Sequence, residues 1–379
     1  MSKYENPMSR QVFSIPDLIE EQYEDLEPKA RMVLSFQEIF NIQRIVLTGC
    51  GDSYAAGMAV KHAFEFLTGI PTEVVPALEL SRFYCEKHLG VDCRNPLVIS
   101  VSNSGTGARV SEAVQRAKKY GCYILGITGN ADSPLAQYSD KVLPLNIPKY
   151  ESAPGTRSYM VSVMALLLLA IRFGEVRGKY TADQAMEYRY EMKAQGKLLR
   201  ELLPEMDEKC EMIAEQWKDF PCYDFIGAGF DYASAWFGWA KILEATGKFA
   251  MHINTEEWFH LNFFARDAKH CGTVVFANTT NPAMSRTKEL LKYANELHRP
   301  LVVVTDGTKE DFNNEEAVYL RVPASKYPIL MPLTHFAPVC LIASYISVLI
   351  GEKYGRGCEG DWSFCQGGYC VKNSEIIVK

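Results

Sequence analysis

Short apolar runs of strand length alternate with amphipathic stretches in the first half of the chain. Between two of these runs, Gly121 ends a stretch in which apolar residues recur at helical spacing, at Val110, Ala113, Val114 and Ala117. Runs that are apolar throughout and alternate with helices predict a parallel sheet with helices on both faces. The runs expected to form its strands are residues 44–48, 72–75, 97–101, 124–128 and 141–145.

The second half of the chain repeats this pattern. The segment 224–238 (DFIGAGFDYASAWFG) matches the segment 46–60 (VLTGCGDSYAAGMAV) when the two are aligned so that Gly227 falls on Gly49 and Gly229 on Gly51. At nearly the same shift, the strand-like runs 273–276 and 301–305 match 97–100 and 124–128. Three matches in the same order predict a duplicated domain.

The predicted fold class is therefore α/β, with two domains that are each a five-stranded parallel sheet between layers of helices. The connector between the domains is charged and helix-favouring, and it holds no proline before Pro204. The expected organisation is an N-terminal segment (1–30), a first domain (31–175), a helical connector (176–220), a second domain (221–350) and a C-terminal tail (351–379).

The overall charge argues against a nucleic-acid partner, because 40 Lys and Arg stand against 46 Asp and Glu, a net charge of −6 without a long basic run. The longest apolar stretches, 160–171 and 336–350, fall short of the ~20 residues of a membrane-spanning helix, so we expect core helices and no membrane partner. The first residues (MSKYENPMSRQVF) lack an apolar signal segment. These features predict a cytoplasmic protein.

The cysteines predict neither a disulfide framework nor a metal site. The eleven cysteines include no CxxC motif, which suits a reducing compartment. Cys358, Cys365 and Cys370 lie in the tail at uneven spacing and without a paired histidine, so zinc is not expected. No cofactor is expected either, because the sequence holds no dinucleotide fingerprint and no GxxxxGK[ST] motif.

Two loops of the first domain could hold an anion at the carboxyl ends of their strands, where ligands bind in parallel α/β sheets. The first strand leads into Gly51, Asp52 and Ser53, and the third leads into a hydroxyl- and glycine-rich loop before a helix. Such a loop favours phosphate through backbone N–H groups and the helix dipole, although a capped turn without a ligand uses the same residue types. The equivalent loop of the second domain, 277–282, has no glycine, so we expect only the first domain to keep a phosphate site. The candidates in the hydroxyl-rich loop are Ser102, Asn103, Ser104 and Thr106.

These motifs resemble the SIS (sugar isomerase) family of phosphosugar-binding proteins. GCGDSYAAG at 49–57 and SVSNSGT at 100–106 are similar to the family's first loop and phosphate loop. ESAPGTRSY at 151–159 is similar to the segment after the last strand, with Arg157 as a candidate binding residue where the family has lysine. The resemblance covers roughly residues 30–355. It implies two SIS domains, a sugar 6-phosphate ligand, and a homodimer or higher homo-oligomer with shared active sites.

The second domain resembles the catalytic segment of this family. Lys241 lies three residues before Glu244, and an E-x-x-H segment, Glu257 to His260, follows Glu244 at the family's spacing. The resemblance implies that Glu244 shuttles a proton and that His260 opens the sugar ring, commonly from a neighbouring subunit. It also implies substrate contacts for Lys241, which could instead simply pair with Glu244, and for Glu257. An apolar helix context would raise the pKa of the Glu244 carboxyl toward neutrality. Taken alone, the Lys–Glu spacing is typical of a surface ion pair, and the histidine among aromatic residues is typical of a packed side chain.

The tandem arrangement resembles the isomerase half of glucosamine-6-phosphate synthase and the fructosamine-6-phosphate deglycases. Because Ser2 and not cysteine follows Met1, we do not expect the glutaminase activity of that synthase. The resemblance implies a deglycase that releases glucose 6-phosphate and a free amine from 6-phosphofructosyl amines. An amino-sugar-phosphate isomerase or deaminase is one alternative, and a non-catalytic sugar-phosphate-binding regulator is another. The chain departs from the family at Leu261-Asn262, where Gly-Pro is usual, and at Gly107, where the phosphate loop usually has threonine.

Overall fold

The computed structural model describes residues 2–89, 96–353 and 371–379. Their contacts divide them into two compact units with one sheet each. The unit with the first sheet contains Glu20–Lys149, Ser158–Tyr190 and the C-terminal residues 371–379. The unit with the second sheet contains residues 2–19, Tyr150–Arg157 and residues 191–353.

The first sheet has five parallel strands in the order β2-β1-β3-β4-β5. β1 lies between β2 and β3, with Ile45 in register with both Thr72 and Leu97. Every residue of β1 and β3 is buried, which explains why these runs are apolar throughout. The strands confirm the predicted runs to within one residue at each end: β1 Ile45–Gly49, β2 Thr72–Pro76, β3 Leu97–Val101, β4 Tyr123–Thr128 and β5 Lys141–Pro144.

The second sheet repeats this topology, with five parallel strands in the order β10-β9-β8-β6-β7. In each sheet the first strand therefore lies between the second and the third. The second strand is added on one side of the first, and the third, fourth and fifth strands are added in turn on its other side. The predicted α/β class with two five-stranded parallel sheets is confirmed. The strands are β6 Cys222–Gly227, β7 Phe249–Asn254, β8 Cys271–Phe276, β9 Leu301–Thr305 and β10 Val318–Arg321.

Helices cover the sheets, and one of them, with Pro204 inside it, is 36 residues long. The helices are α1 Pro7–Phe13, α2 Ile15–Met32, α3 Phe36–Asn41, α4 Asp52–Thr68, α5 Ala77–Arg82, α6 Ala108–Lys119, α7 Pro134–Tyr138, α8 Arg157–Val176, α9 Ala182–Trp217, α10 Tyr232–Thr246, α11 Thr255–His260, α12 Met284–Glu296, α13 Lys309–Phe312 and α14 Ala337–Leu349. Short 3₁₀ turns include Gly229–Asp231, Asn262–Phe264 and Pro328–Leu333.

Two helical stretches among the described residues are long and apolar enough to cross a membrane. They are Arg157–Val176 and Pro328–Leu349, and 89% and 100% of their most apolar windows are buried inside the structure. The protein itself removes the apolar surface of these helices from water, which is typical of core helices. The two stretches form buried helices as predicted, but the expectation that they are too short for a membrane-spanning helix is wrong, because the helical stretches are 20 and 22 residues long.

Candidate functional site

The turn from β1 into α4 places the first group of predicted binding residues. Gly51 has a φ of +54°, and α4 begins at the next residue, Asp52. A Cβ at Gly49 would lie 2.9 Å from the backbone carbon of Ser53, so this close approach of strand and helix requires glycine. Within the described residues no side chain caps α4, but the N–H of Ser53 donates to the Cys50 carbonyl at 3.2 Å, so the turn itself uses one of the first N–H groups.

The loop from β3 into α6 is folded by its own hydroxyl groups. The Ser102 hydroxyl accepts the N–H of Gly105 at 3.1 Å, and the Thr106 hydroxyl donates to the Ser104 oxygen at 3.2 Å. The carbonyl of Asn103 accepts the N–H of Gly129 at 2.9 Å, which joins the loop to the end of β4. Gly105 has a φ of +64°, and a Cβ there would collide with the Ser133 hydroxyl. The loop is therefore a fixed turn and not an adaptable one.

This loop ends at the start of α6, a helix of 12 residues. Gly107 is its N-cap residue and supplies no side-chain hydrogen bond. An uncapped helix N-terminus preceded by serine and threonine hydroxyls presents hydrogen-bond donors and the positive end of the helix dipole, which are what a phosphate group needs. The structure thus brings Ser104 and Thr106 together directly before such a terminus.

A buried carboxylate lies on the next turn of α6. Glu112 is fully buried and binds Arg82, which donates to it from two nitrogens, and Arg109 at 2.5 Å. The backbone N–H of Ile377 donates to the same carboxylate at 2.6 Å. Burial would raise the pKa of Glu112, but the hydrogen bonds from Arg82 and Ile377 outweigh it and lower the pKa to about 2.

Arg109 also binds the C-terminal segment, because it donates to the Ser374 hydroxyl at 3.2 Å and to the Glu375 carbonyl. Residues 374–377 therefore lie against the first two turns of α6, beside the candidate phosphate loop. Sequence reasoning missed this contact. The residues involved are more than 260 positions apart in the chain, and no spacing pattern relates them.

In the second unit, α10 carries the predicted Lys–Glu pair. The ammonium of Lys241 lies 2.6 Å from Oε2 of Glu244 and 4.6 Å from the ring centre of Phe237. Lys241 is fully buried, whereas 44% of the Glu244 side chain is exposed. The apolar setting expected around Glu244 thus surrounds Lys241 instead, because positions 243 and 244 fall on the solvent side of α10. The pair combines a buried cation with a reachable carboxylate and is not an ordinary surface ion pair.

His260 is the last residue of α11, and 65% of its side chain is exposed. Its Nε2 lies 3.4 Å from Oε1 of Glu256, one turn earlier on the same helix. Glu257 is also exposed, and its carbonyl accepts the N–H of Leu261 at 3.0 Å. In this chain His260 is therefore available to a substrate, and it is not the packed histidine that the neighbouring aromatic residues would suggest.

Arg157 has a mainly internal role in the structure. It is buried, donates to the Ser14 hydroxyl at 2.6 Å and lies with its guanidinium 4.4 Å from the ring centre of Tyr150. Both contacts lie within the unit that contains the second sheet. A phosphate contact from this side chain would have to compete with them.

The comparison with known families assigns the first unit. Residues 38–172, which include both candidate loops, match the SIS domain model. This region is a SIS domain. The predicted family resemblance is confirmed, and the phosphate-loop candidates lie inside the matched region.

Curated relatives extend the similarity across most of the chain. Glutamine–fructose-6-phosphate aminotransferase (isomerizing) of Clostridium tetani is 27% identical over 348 residues, covering 86% of this chain and 52% of the relative. The enzyme of the same name from Pseudomonas putida is 29% identical over 319 residues, covering 83% of this chain and 50% of the relative. The chain thus spans about half the length of the curated relatives it matches.

Solved structures support the same fold beyond the first SIS domain. The C-terminal domain of glucosamine-fructose-6-phosphate aminotransferase from Francisella tularensis has a TM-score of 0.81 at 19% identity, covering 93% of this chain and 99% of that one. The tagatose-6-phosphate ketose/aldose isomerase from Escherichia coli has a TM-score of 0.73 at 17% identity, covering 92% and 95%. These likenesses show that both units share the architecture of these proteins.

The unit with the second sheet holds a carboxylate at the position that Ser53 occupies in the first, in the turn after its first strand. Asp231, after β6, accepts the N–H of Asn278 at 3.0 Å and the side-chain amide of Asn281 at 2.7 Å. Nδ1 of His335 lies 3.4 Å from it. Burial would raise the pKa of Asp231, but the nearby His335 imidazole and the hydrogen bonds from Asn278 and Asn281 hold the pKa below its ordinary value.

Groups of three or more potential metal ligands do not occur in 2–89, 96–353 or 371–379. The tail cysteines Cys358, Cys365 and Cys370, for which the sequence predicts no zinc site, lie outside the described residues.

Proposed function

We propose that this chain binds a sugar 6-phosphate and acts on it as a deglycase, releasing glucose 6-phosphate and an amine from 6-phosphofructosyl amines. The observation that carries the proposal is the Lys241–Glu244 pair, a fully buried ammonium 2.6 Å from a half-exposed carboxylate. The names of the curated relatives, which specify fructose 6-phosphate, support the class of sugar.

The phosphate is assigned to the SIS-domain loop. Ser102, Ser104 and Thr106 supply hydroxyls, and the uncapped N-terminus of α6 supplies N–H groups. Neutral donors and a helix dipole bind a dianion without a basic patch, which is consistent with the net charge of −6.

The proton transfer is assigned to Glu244. Its carboxylate removes a proton from C1 of the open-chain fructosyl amine, and the C–H electron pair forms the C1–C2 double bond while the carbonyl π pair moves to the C2 oxygen, which takes a proton from water to give an enaminol. The Glu244 carboxyl then returns its proton to C2 as the nitrogen lone pair forms the C1–N double bond. Water adds to C1 of this protonated imine, and the C–N bond breaks to release glucose 6-phosphate and the free amine. Lys241 holds one oxygen of the carboxylate in place, and its charge stabilises the negative charge that develops on the adjacent substrate oxygen.

Ring opening is assigned to His260, because an exposed imidazole can both donate and accept a proton. It donates a proton to the ring oxygen and accepts one from the anomeric hydroxyl. Glu256, at 3.4 Å from Nε2, orients the imidazole. We further propose a homo-oligomer in which His260 can act on a neighbouring subunit's substrate. Mixing inactive Glu244→Gln and His260→Ala proteins tests this, since restored turnover requires an exchange of residues between subunits.

An isomerase or deaminase acting on an amino sugar phosphate is the second candidate. The aminotransferase relatives are named as isomerizing, and one structural neighbour is a glucosamine-6-phosphate deaminase from Thermotoga maritima with a TM-score of 0.63. The same Glu244 chemistry between C1 and C2 would serve that reaction, so the two candidates differ in substrate and not in mechanism.

The deciding experiment incubates the purified chain with 6-phosphofructosyl-lysine, 6-phosphofructosyl-asparagine, glucosamine 6-phosphate, or fructose 6-phosphate plus ammonia, and measures the sugar phosphates formed. We expect glucose 6-phosphate from a fructosyl amine, and a loss of about a hundredfold or more in kcat for Glu244→Gln. Glu205→Gln is the matched control, because Glu205 forms a Lys–Glu pair on α9 at 2.7 Å, and it should retain activity.

Turnover of only the last two substrates would replace the deglycase with the isomerase or deaminase. Binding of sugar phosphates without turnover of any would favour the regulator. Equal activity of Glu244→Gln and Glu205→Gln would remove Glu244 from the mechanism.

A further inference from the structure

We infer that Asp224 and Arg299 are positioning residues for the segment that carries His260, and that Trp258 and Asn262 connect this segment to them. These four residues are called the anchor below. The role in catalysis rests on the proposed function, whereas the anchoring itself does not.

The centre of the anchor is a buried ion pair. Asp224 lies in β6 and Arg299 lies just before the start of β9, and both side chains are fully buried with 3.0 Å between Nη1 and Oδ2. Arg299 also donates to the Thr273 hydroxyl at 3.2 Å. A buried pair of charges is costly to desolvate and is retained where further hydrogen bonds satisfy both groups.

The further hydrogen bonds go to the His260 segment. Oδ2 of Asp224 accepts the indole N–H of Trp258 at 3.2 Å, and Oδ1 accepts the side-chain amide of Asn262 at 2.7 Å. Arg299 donates to the carbonyl of Asn262 and lies with its guanidinium 5.3 Å from the Trp258 ring centre. Both members of the ion pair thus contact both Trp258 and Asn262.

These contacts bracket His260 in the chain. Trp258 lies two residues before it and Asn262 two residues after it, while the imidazole itself is exposed and pairs with Glu256. α11 is only six residues long, and its C-cap residue Leu261 has φ −130° and ψ −72°. Such a short helix has little stability of its own, so its position depends on tertiary contacts. The anchor supplies them on both sides of the histidine.

Two mild variants test the inference. Asn262→Ala removes the amide tether, and Trp258→Phe removes the indole N–H while it keeps an aromatic ring in the core. Asn314→Ala is the control, since Asn314 is also a buried asparagine of this unit that bonds a loop backbone, through the N–H of Glu316 and Ala317 at 3.1 Å. The measurements are amide hydrogen exchange of residues 255–264, the NMR titration of His260, and steady-state kinetics.

For both anchor variants we expect exchange of residues 255–264 to accelerate about tenfold, as the loss of about one hydrogen bond predicts. The titration midpoint or line width of His260 should change, and kcat should fall about tenfold or more with little change in KM. Asn314→Ala should leave all three measurements as in the wild type, even if it lowers the melting temperature as much.

Unchanged exchange and an unchanged His260 titration in both anchor variants would overturn the inference. Unchanged kcat in an active enzyme would also overturn it, because positioning that does not affect turnover is not positioning for the reaction. If the wild type turns over no sugar phosphate, the proposed function fails, and hydrogen exchange with the His260 titration decides the anchor alone.

Discussion

The turn after β1 and the loop after β3 carry serine and threonine hydroxyls, whereas the equivalent turn after β6 carries Asp231, which binds Asn278 and Asn281 of the loop after β8 and lies beside His335. The backbone at the two positions is nearly the same, since Gly51 has a φ of +54° and Gly229 a φ of +57°. The two sheets also share one strand order. The difference therefore lies in the side chains and not in the fold.

A single aligned position accounts for much of this difference. Ser53 of the first unit corresponds to Asp231 of the second in the alignment that places Gly229 on Gly51. The Asp231 carboxylate accepts the backbone N–H of Asn278 and the side-chain amide of Asn281 from the loop after β8. The second unit thus carries an internal anion at the position where the first has a neutral serine. The two units thus share one strand order and differ in the chemistry of this turn.

Removing the internal anion should have the largest effect. Asp231→Ala leaves the amides of Asn278 and Asn281 buried without their acceptor, and we expect a loss of about 3–5 kcal/mol in the free energy of unfolding. Ser53→Ala at the equivalent position should cost about 1 kcal/mol or less. Urea unfolding monitored by hydrogen exchange in each sheet measures both. Equal losses would mean that the two positions do not differ as the structure indicates.

Acid should weaken the second unit through the same group. The pKa of Asp231 in the folded chain lies below its ordinary value of 3.8. A carboxyl group with a depressed folded pKa stabilises the fold fully above its unfolded pKa and loses that contribution as the pH falls through the folded value. Stability should therefore decline below about pH 4 in the wild type and decline less steeply in Asp231→Asn. Parallel pH profiles for the two proteins would contradict this.

Local patterns predicted what depends on local geometry. The five strands of the first sheet, the helix after residues 102–107 and the Lys241–Glu244 contact follow from apolar runs, from glycine and serine before a helix, and from a three-residue helical spacing. Each of these features joins residues that are close in sequence.

Long-range pairs could not be predicted in this way. The Asp224–Arg299 ion pair joins residues 75 positions apart, and Ile377 donates to Glu112 across 265 positions. The exposure of Glu244 was also missed, because its apolar neighbour Leu243 lies with it on the solvent side of α10, while Ile242 faces the interior. Such contacts depend on which elements pack together in the folded chain. The spacing of residues within one element does not indicate this packing.

A smaller effect tests whether the first loop is a fixed turn. Gly105→Ala must place a Cβ at a φ of +64° against the Ser133 hydroxyl, whereas Gly178→Ala meets a similar φ of +65° with no described atom within 4 Å. We expect a loss of about 1 kcal/mol for Gly178→Ala and about 2–3 kcal/mol for Gly105→Ala, because only the second adds a collision to the backbone strain. Thermal unfolding measures both. Equal losses would mean that the loop can shift to accept the new methyl group.

The smallest effect concerns ligand binding alone. Ser104→Ala removes a hydroxyl that bonds Thr106 before α6, and Thr280→Ala removes the hydroxyl that donates to Asn278 at 2.9 Å in the corresponding loop of the second unit. If only the first loop binds phosphate, Ser104→Ala should weaken the binding of fructose 6-phosphate about fivefold, the worth of about one hydrogen bond, while Thr280→Ala should leave it unchanged. Isothermal titration calorimetry distinguishes them. A weaker affinity in Thr280→Ala alone would contradict the assignment of the phosphate to the first unit. It would place the sugar phosphate at the loop after β8, which contacts Asp231.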